Sequence, residues 1–159
     1  MLVKIGPYKE NKDRKIKVKI HDYDTWNGDE TLALVILPLL KKIRKNKISA
    51  PLVDNSDLPK ELAAKDEDEF WEDRWHYVLD EMIWSFSQLL PDADWESQFH
   101  SGNIDFDFME IEENGKKMYK MVEGPNHTAE FDKDGYTKYN DRINNGMRLF
   151  GRYCRCLWT

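Results

Sequence analysis

Between Glu67 and Leu90 the apolar residues Trp71, Trp75, Val78, Leu79, Met82, Ile83, Phe86, Leu89 and Leu90 recur with helical spacing. That recurrence predicts a core helix over 67–90 with one continuous apolar stripe. Carboxylates in its first turns favour the positive end of the helix dipole, and Pro91 marks its end. A second helix is predicted over 29–46. It is apolar nearly all round from Leu32 to Leu40, which implies burial, and basic from Lys41 to Lys45; Pro38 is expected to kink it. A third, over 134–157, would turn Tyr136, Tyr139, Ile143, Met147, Phe150, Cys154 and Leu157 inward. Gly146 and Gly151 each weaken that helix by about 1 kcal/mol relative to alanine, so another element is expected to approach closely at both.

A period of two replaces the helical period elsewhere. Ile16, Val18 and Ile20 alternate with Lys15, Lys17 and Lys19, which predicts a half-buried strand with a lysine row on its wet face. Such a row also repels other sheet edges. Leu2 to Ile5 reads as a short strand. Ile104, Phe106 and Phe108 alternate with Asp105 and Asp107, and Asn114-Gly115 supplies the tight turn of a hairpin over 104–123. His127 to Phe131 suggests one more strand. The expected fold is α+β: a small antiparallel sheet, including the 104–123 hairpin, packed against three main helices. At 159 residues a single globular domain over 1–159 is expected, with a loop at 47–65 that is functional or mobile.

Charge is segregated along the chain. Residues 1–50 carry 12 basic against 6 acidic side chains, residues 51–132 carry 6 against 22, and residues 133–159 carry 6 against 2. A net charge of −6 with so acidic a middle disfavours long nucleic acid, whose phosphates would be repelled over many contacts. The longest apolar run, Leu32 to Leu40, is too short for a bilayer, and the first residues lack a signal peptide's pattern, so a cytoplasmic protein is expected. Cys154 and Cys156 are read as idle thiols.

Phosphate loops, zinc-protease and serine-hydrolase motifs are absent from the sequence, and neither catalysis nor a cofactor is expected. Asp105 and Asp107 could ligate a divalent cation as metal-dependent nucleases do, but their alternation with apolar residues is explained by a solvated strand face. The combination that points to a ligand is aromatic plus arginine: Trp26, Tyr136 and Tyr139 with Arg142, Arg148 and Arg152. Aromatic faces stack bases and guanidinium forks clamp phosphates, whereas in the structural alternative the rings fill the core and the arginines wet the outer face.

Three stretches carry a resemblance: Asp22-Tyr23-Asp24-Thr25-Trp26 running into Thr31 to Lys41, Arg74 to Trp84, and Arg142 to Gly151. They resemble a family of small accessory proteins encoded by tailed bacteriophages. The resemblance implies a viral protein acting in an infected bacterium, and by association a counter-defence sponge that sequesters a cyclic di- or trinucleotide immune signal as a homodimer or higher oligomer. An acidic protein-protein inhibitor of a host enzyme is the alternative, motivated by the charge of residues 51–132.

Overall fold

A computed structural model describes residues 1–46, 49–65 and 69–158; the expected helix start at Glu67 and the first residues of the 47–65 loop lie outside them. In chain order, β1 (Leu2–Ile5) and β2 (Ile16–Lys19) form an antiparallel hairpin, and a 3-10 turn at Asp22–Thr25 leads into α1 (Gly28–Asn46). A 3-10 turn at Asn55–Asp57 and the short α2 (Lys60–Ala63) precede α3 (Trp71–Ser87). Then come α4 (Trp95–Phe99), β3 (His100–Ser101), β4 (Phe106–Glu113), β5 (Lys116–Glu123), β6 (Glu130–Phe131) and α5 (Lys133–Tyr153). The fold is α+β as expected, with three main helices and the hairpin where the pattern puts them. The strands pair only two by two: β1 with β2, β3 with β6, β4 with β5.

By its contacts the chain divides into two compact units, residues 1–93 with 142–159, and residues 94–141. The first is built on the stripe of α3. Trp75, Val78, Leu79, Met82 and Phe86 are buried there, against Ala33, Leu37, Leu40 and Ile43 of α1 and Leu149 and Tyr153 of α5. Trp75 meets Tyr153 edge to face at 5.8 Å, and Phe86 meets Phe150 at 5.0 Å. Gly146 is where α5 comes closest: an added methyl group would collide with Ser85 Oγ and stand 2.7 Å from the Glu81 carbonyl oxygen. Nothing lies within 4 Å of the same position at Gly151, so the close approach expected there does not occur.

Two further expectations are corrected. Only one stripe of α1 is covered: Leu32, Leu34, Val35 and Leu39 are exposed, because a single helix neighbour hides a single face. On α5 the buried positions are Gly146, Leu149 and Tyr153, while Cys154 is exposed in the terminal 3-10 turn. Met147, Phe150 and Leu157 of the expected stripe are half-buried against the core, so the inward stripe is wider than tyrosine and phenylalanine spacing suggests, and Cys154 lies outside it.

In the second unit, Asp132 Oδ1 accepts from the Gly135 amide 2.9 Å away and caps α5. Gly102 has φ +78°, and a Cβ there would collide with the Thr128 carbonyl, so only glycine suits this turn. Asn114 and Gly115 at the β4–β5 turn have φ 54° and 71°, the left-handed pair that matches hairpin twist.

Substitution at the two helical glycines should therefore split in sign. Gly146→Ala should lose about 1–3 kcal/mol by overpacking against Ser85, whereas Gly151→Ala should gain up to about 1 kcal/mol by restricting the unfolded chain. Urea denaturation of both variants checks this.

Candidate functional site

The arginines singled out by sequence have partners inside the first unit. Arg148 Nη1 donates to Asp57 Oδ1 at 2.6 Å, and Arg152 reaches Asp54 Oδ2 at 2.8 Å and Asp57 Oδ2 at 3.0 Å. Tyr153 Oη also donates to Asp57 Oδ2, at 2.7 Å, and accepts from the Asp54 amide at 3.1 Å. The Asp57 side chain is 1% exposed, so two guanidinium groups and a hydroxyl replace the water its charge has lost. Arg142 has a separate carboxylate: it grips Glu81 at 2.7 and 3.0 Å and lies 3.9 Å over the Trp84 ring. The hydrogen bond to Glu81 holds its pKa above the ordinary guanidinium value.

This arrangement anchors the described part of the 47–65 loop. Its Asp54 and Asp57 are tied to α5, and Asn55, Ala63 and Lys65 are tied to the buried Arg74 of α3 at 2.6, 3.3 and 3.3 Å. In the sequence the two aspartates belong only to the 47–65 loop.

The aromatic candidates divide. Tyr136 and Tyr139 belong to the second unit, where their rings pack on Phe99 at 5.7 and 5.3 Å. Trp26, in the first unit, is 81% exposed beside the similarly exposed Tyr23 at 6.0 Å. Of the six residues, the structure brings together Arg148 and Arg152, on an aspartate.

Asp105 and Asp107 have local roles. Asp105 Oδ2 accepts from the Asn126 amide and Asp107 Oδ1 from the Phe108 amide, at 2.9 and 2.8 Å. Among the described residues no group of three His, Cys, Asp or Glu side chains is placed to hold a metal ion, and no helix is long and apolar enough to cross a membrane.

What the sequence reading did not find is bare apolar surface on both long hairpins. On β4–β5, Phe106, Phe108, Met109, Met118, Tyr119 and Met121 are all exposed. One face carries Phe106, Phe108, Tyr119 and Met121, the other Met109, Ile111, Met118 and Val122, so the ribbon has no face that is simply wet. A two-stranded ribbon is marginal in water by itself. On β1–β2 the face made by Val3, Ile5, Ile16 and Val18 is also exposed, although half-burial of β2 was expected. Both faces of β4–β5 being apolar is legible only in retrospect, from Met109, Ile111 and Met118 falling out of phase with Phe106 and Phe108.

Among the described residues no further strand pairs with either hairpin, and the edges so left alternate in what they expose. The Gly124 amide donates to the Asp105 carbonyl at 2.9 Å, so Asp105 and Asp107 turn their backbone groups toward β5, while Phe106 and Phe108 turn theirs to the open edge of β4. Such an edge can take a further strand.

Compared with protein-family models, curated proteins and solved structures, the chain matches none of them.

Two measurements test the Asp57 anchor. Asp57→Asn leaves two guanidinium groups short of a counter-charge and should lose about 2–3 kcal/mol by urea denaturation, less than a fully buried pair because both arginines are half exposed. Burial first, and then the bond to Asp57, raise the Tyr153 pKa. A folded pKa above the unfolded one means a contribution that is complete below the unfolded value, about 10, and lost as pH rises through the folded one. Unfolding free energy should therefore fall above pH about 10, less steeply in Tyr153→Phe.

Proposed function

We propose that this chain is a non-catalytic interaction protein that engages an extended protein segment along the open edge of β4. The observation that carries this reading is the β4–β5 ribbon itself, with six large apolar side chains exposed over both faces and no described element laid along its outer edge. Folded monomers seldom keep so much apolar side chain in water without a partner for it. The edge also states what it would take. Carboxylates at Asp105, Asp107, Glu110, Glu112 and Glu113 alternate or intermix with Phe106, Phe108 and Ile111, and β4 has no lysine or arginine. A strand in which basic and branched apolar residues alternate fits that pattern, through backbone bonds, apolar contact and opposite charge on facing positions. This reading develops the protein-protein alternative drawn from the acidic middle of the sequence, and gives that acidity a place.

Sequestration of a small anionic nucleotide, the expectation drawn from the bacteriophage resemblance, is the second reading. Its support is the exposed pair of rings at Tyr23 and Trp26, a surface on which a base could stack. The phosphates would have to win Arg142, Arg148 and Arg152 from Glu81, Asp54 and Asp57.

A fluorescent synthetic peptide in which lysine alternates with valine should bind at micromolar concentration, and Asp107→Lys should weaken it about tenfold. No binding to the peptide at a concentration where the chain is monomeric would reject the first reading. Calorimetric heat at micromolar cyclic dinucleotide, lost in Trp26→Ala, would favour the second.

A further inference from the structure

We infer that the segment which fits the β4 edge is β2 of a second copy of this chain, joined antiparallel so that the two hairpins form one four-stranded sheet across the interface. This rests on the reading of β4–β5 as a protein-binding ribbon and names its partner.

The register follows from the residues. Set antiparallel, Ile16-Lys17-Val18-Lys19-Ile20 faces Phe108-Asp107-Phe106-Asp105-Ile104. Ile16 meets Phe108, Val18 meets Phe106 and Ile20 meets Ile104; Lys17 meets Asp107 and Lys19 meets Asp105. Every apolar residue faces an apolar one and every lysine a carboxylate, with no mismatch over five positions.

Backbone geometry allows the same register. The Gly6 amide donates to the Lys15 carbonyl at 2.8 Å, which makes Gly6 and Lys15 a hydrogen-bonded pair, and pairs alternate from there. Lys17 and Lys19 therefore address β1, and Ile16 and Val18 turn their N–H and C=O groups to the open edge. On β4 the groups turned outward are those of Phe106 and Phe108. The register above sets Ile16 against Phe108 and Val18 against Phe106, so outward groups meet outward groups. The Lys–Asp pairs then occupy the non-hydrogen-bonded positions, where side chains stand closest. A shift of one residue would lose both the side-chain match and the hydrogen bonds.

In the sheet so formed, Val3, Ile5, Ile16 and Val18 from one copy continue into Phe108, Phe106 and Met121 from the other, and Lys4, Lys17 and Lys19 continue into Asp107 and Asp105 on the opposite side, which also carries Met109, Ile111, Met118 and Val122. The hairpins also carry opposite charge: seven basic against two acidic residues over 1–20, and three against six over 104–123.

Each chain has one β2 and one β4, so two copies can close by exchanging both contacts, or more can join in a ring or chain.

Reciprocal charge reversal tests the inference on exposed positions. By size-exclusion chromatography with light scattering the wild-type chain should be a dimer or larger at micromolar concentration and should dissociate as salt is raised. Lys17→Glu and Asp107→Lys, each placing like charges opposite one another, should raise the dissociation constant about tenfold or more. An equimolar mixture of the two variants should recover association, because the carboxylate introduced on β2 of one copy then meets the ammonium introduced on β4 of the other. A wild-type monomer that still takes up the lysine-valine peptide would overturn self-pairing and leave the ribbon's binding role standing. A monomer that ignores the peptide would overturn both. Variants that associate as well as wild type would show that the copies meet elsewhere and would overturn the assigned edge.

Discussion

A two-stranded ribbon has two faces and two edges, and nothing of its own to cover any of them. That constraint governs the chain more than any single bond in its helical core. β4 and β5 satisfy each other's backbone along one side only, and the alternation of a strand sends apolar residues to both faces as soon as the sequence breaks phase, as it does at Met109. Phe108 shows what the bare edge does when left alone: its outward amide donates to the neighbouring Asp107 carboxylate. A strand laid alongside would give that amide a carbonyl instead, and free the carboxylate for a lysine.

The helical part of the chain answers the opposite problem, how to close a core around charge. α3 carries Arg74 and Glu81 among its buried positions, and the 3-10 turn at Asn55–Asp57 contributes a buried aspartate. Each is matched in place: Arg74 by Asn55 and two carbonyls, Glu81 by Arg142, Asp57 by Arg148, Arg152 and Tyr153. Removing one member of such a group leaves the others without compensation, so the network fixes where the loop and α5 sit on α3. Arg142, Arg148 and Arg152 thereby serve the interior, and the exposed apolar surface is that of the hairpins, of Tyr23 and Trp26, and of the uncovered side of α1.

Periodicity made the elements legible: the three main helices, the Asn114-Gly115 turn and the close approach at Gly146 all follow from local spacing and local chemistry. Burial was legible only where one neighbour sufficed to explain it. The run Leu32 to Leu40 implies burial all round, but within one chain only α3 and its neighbours are present, and Leu32, Leu34, Val35 and Leu39 remain exposed. Likewise Ile16 and Val18 alternate as a half-buried strand should, yet both are exposed. In both places the pattern marks apolar residues without supplying the element that would cover them, which is why reading it as burial failed. The pairing of Arg148 and Arg152 with Asp57 joins residues some ninety positions apart, and no spacing rule reports that.

The outward amides of Val18 and Phe106 give the most direct test. Hydrogen exchange followed by NMR across a dilution series compares them with the inward amides of Lys17 and Asp107, which are protected within their own hairpins. Pairing between copies predicts that Val18 and Phe106 exchange slowly at high concentration and quicken together as the protein is diluted, while Lys17 and Asp107 change little. Exchange at Val18 and Phe106 as fast as in an unstructured peptide at every concentration, with the inward amides still protected, would contradict it.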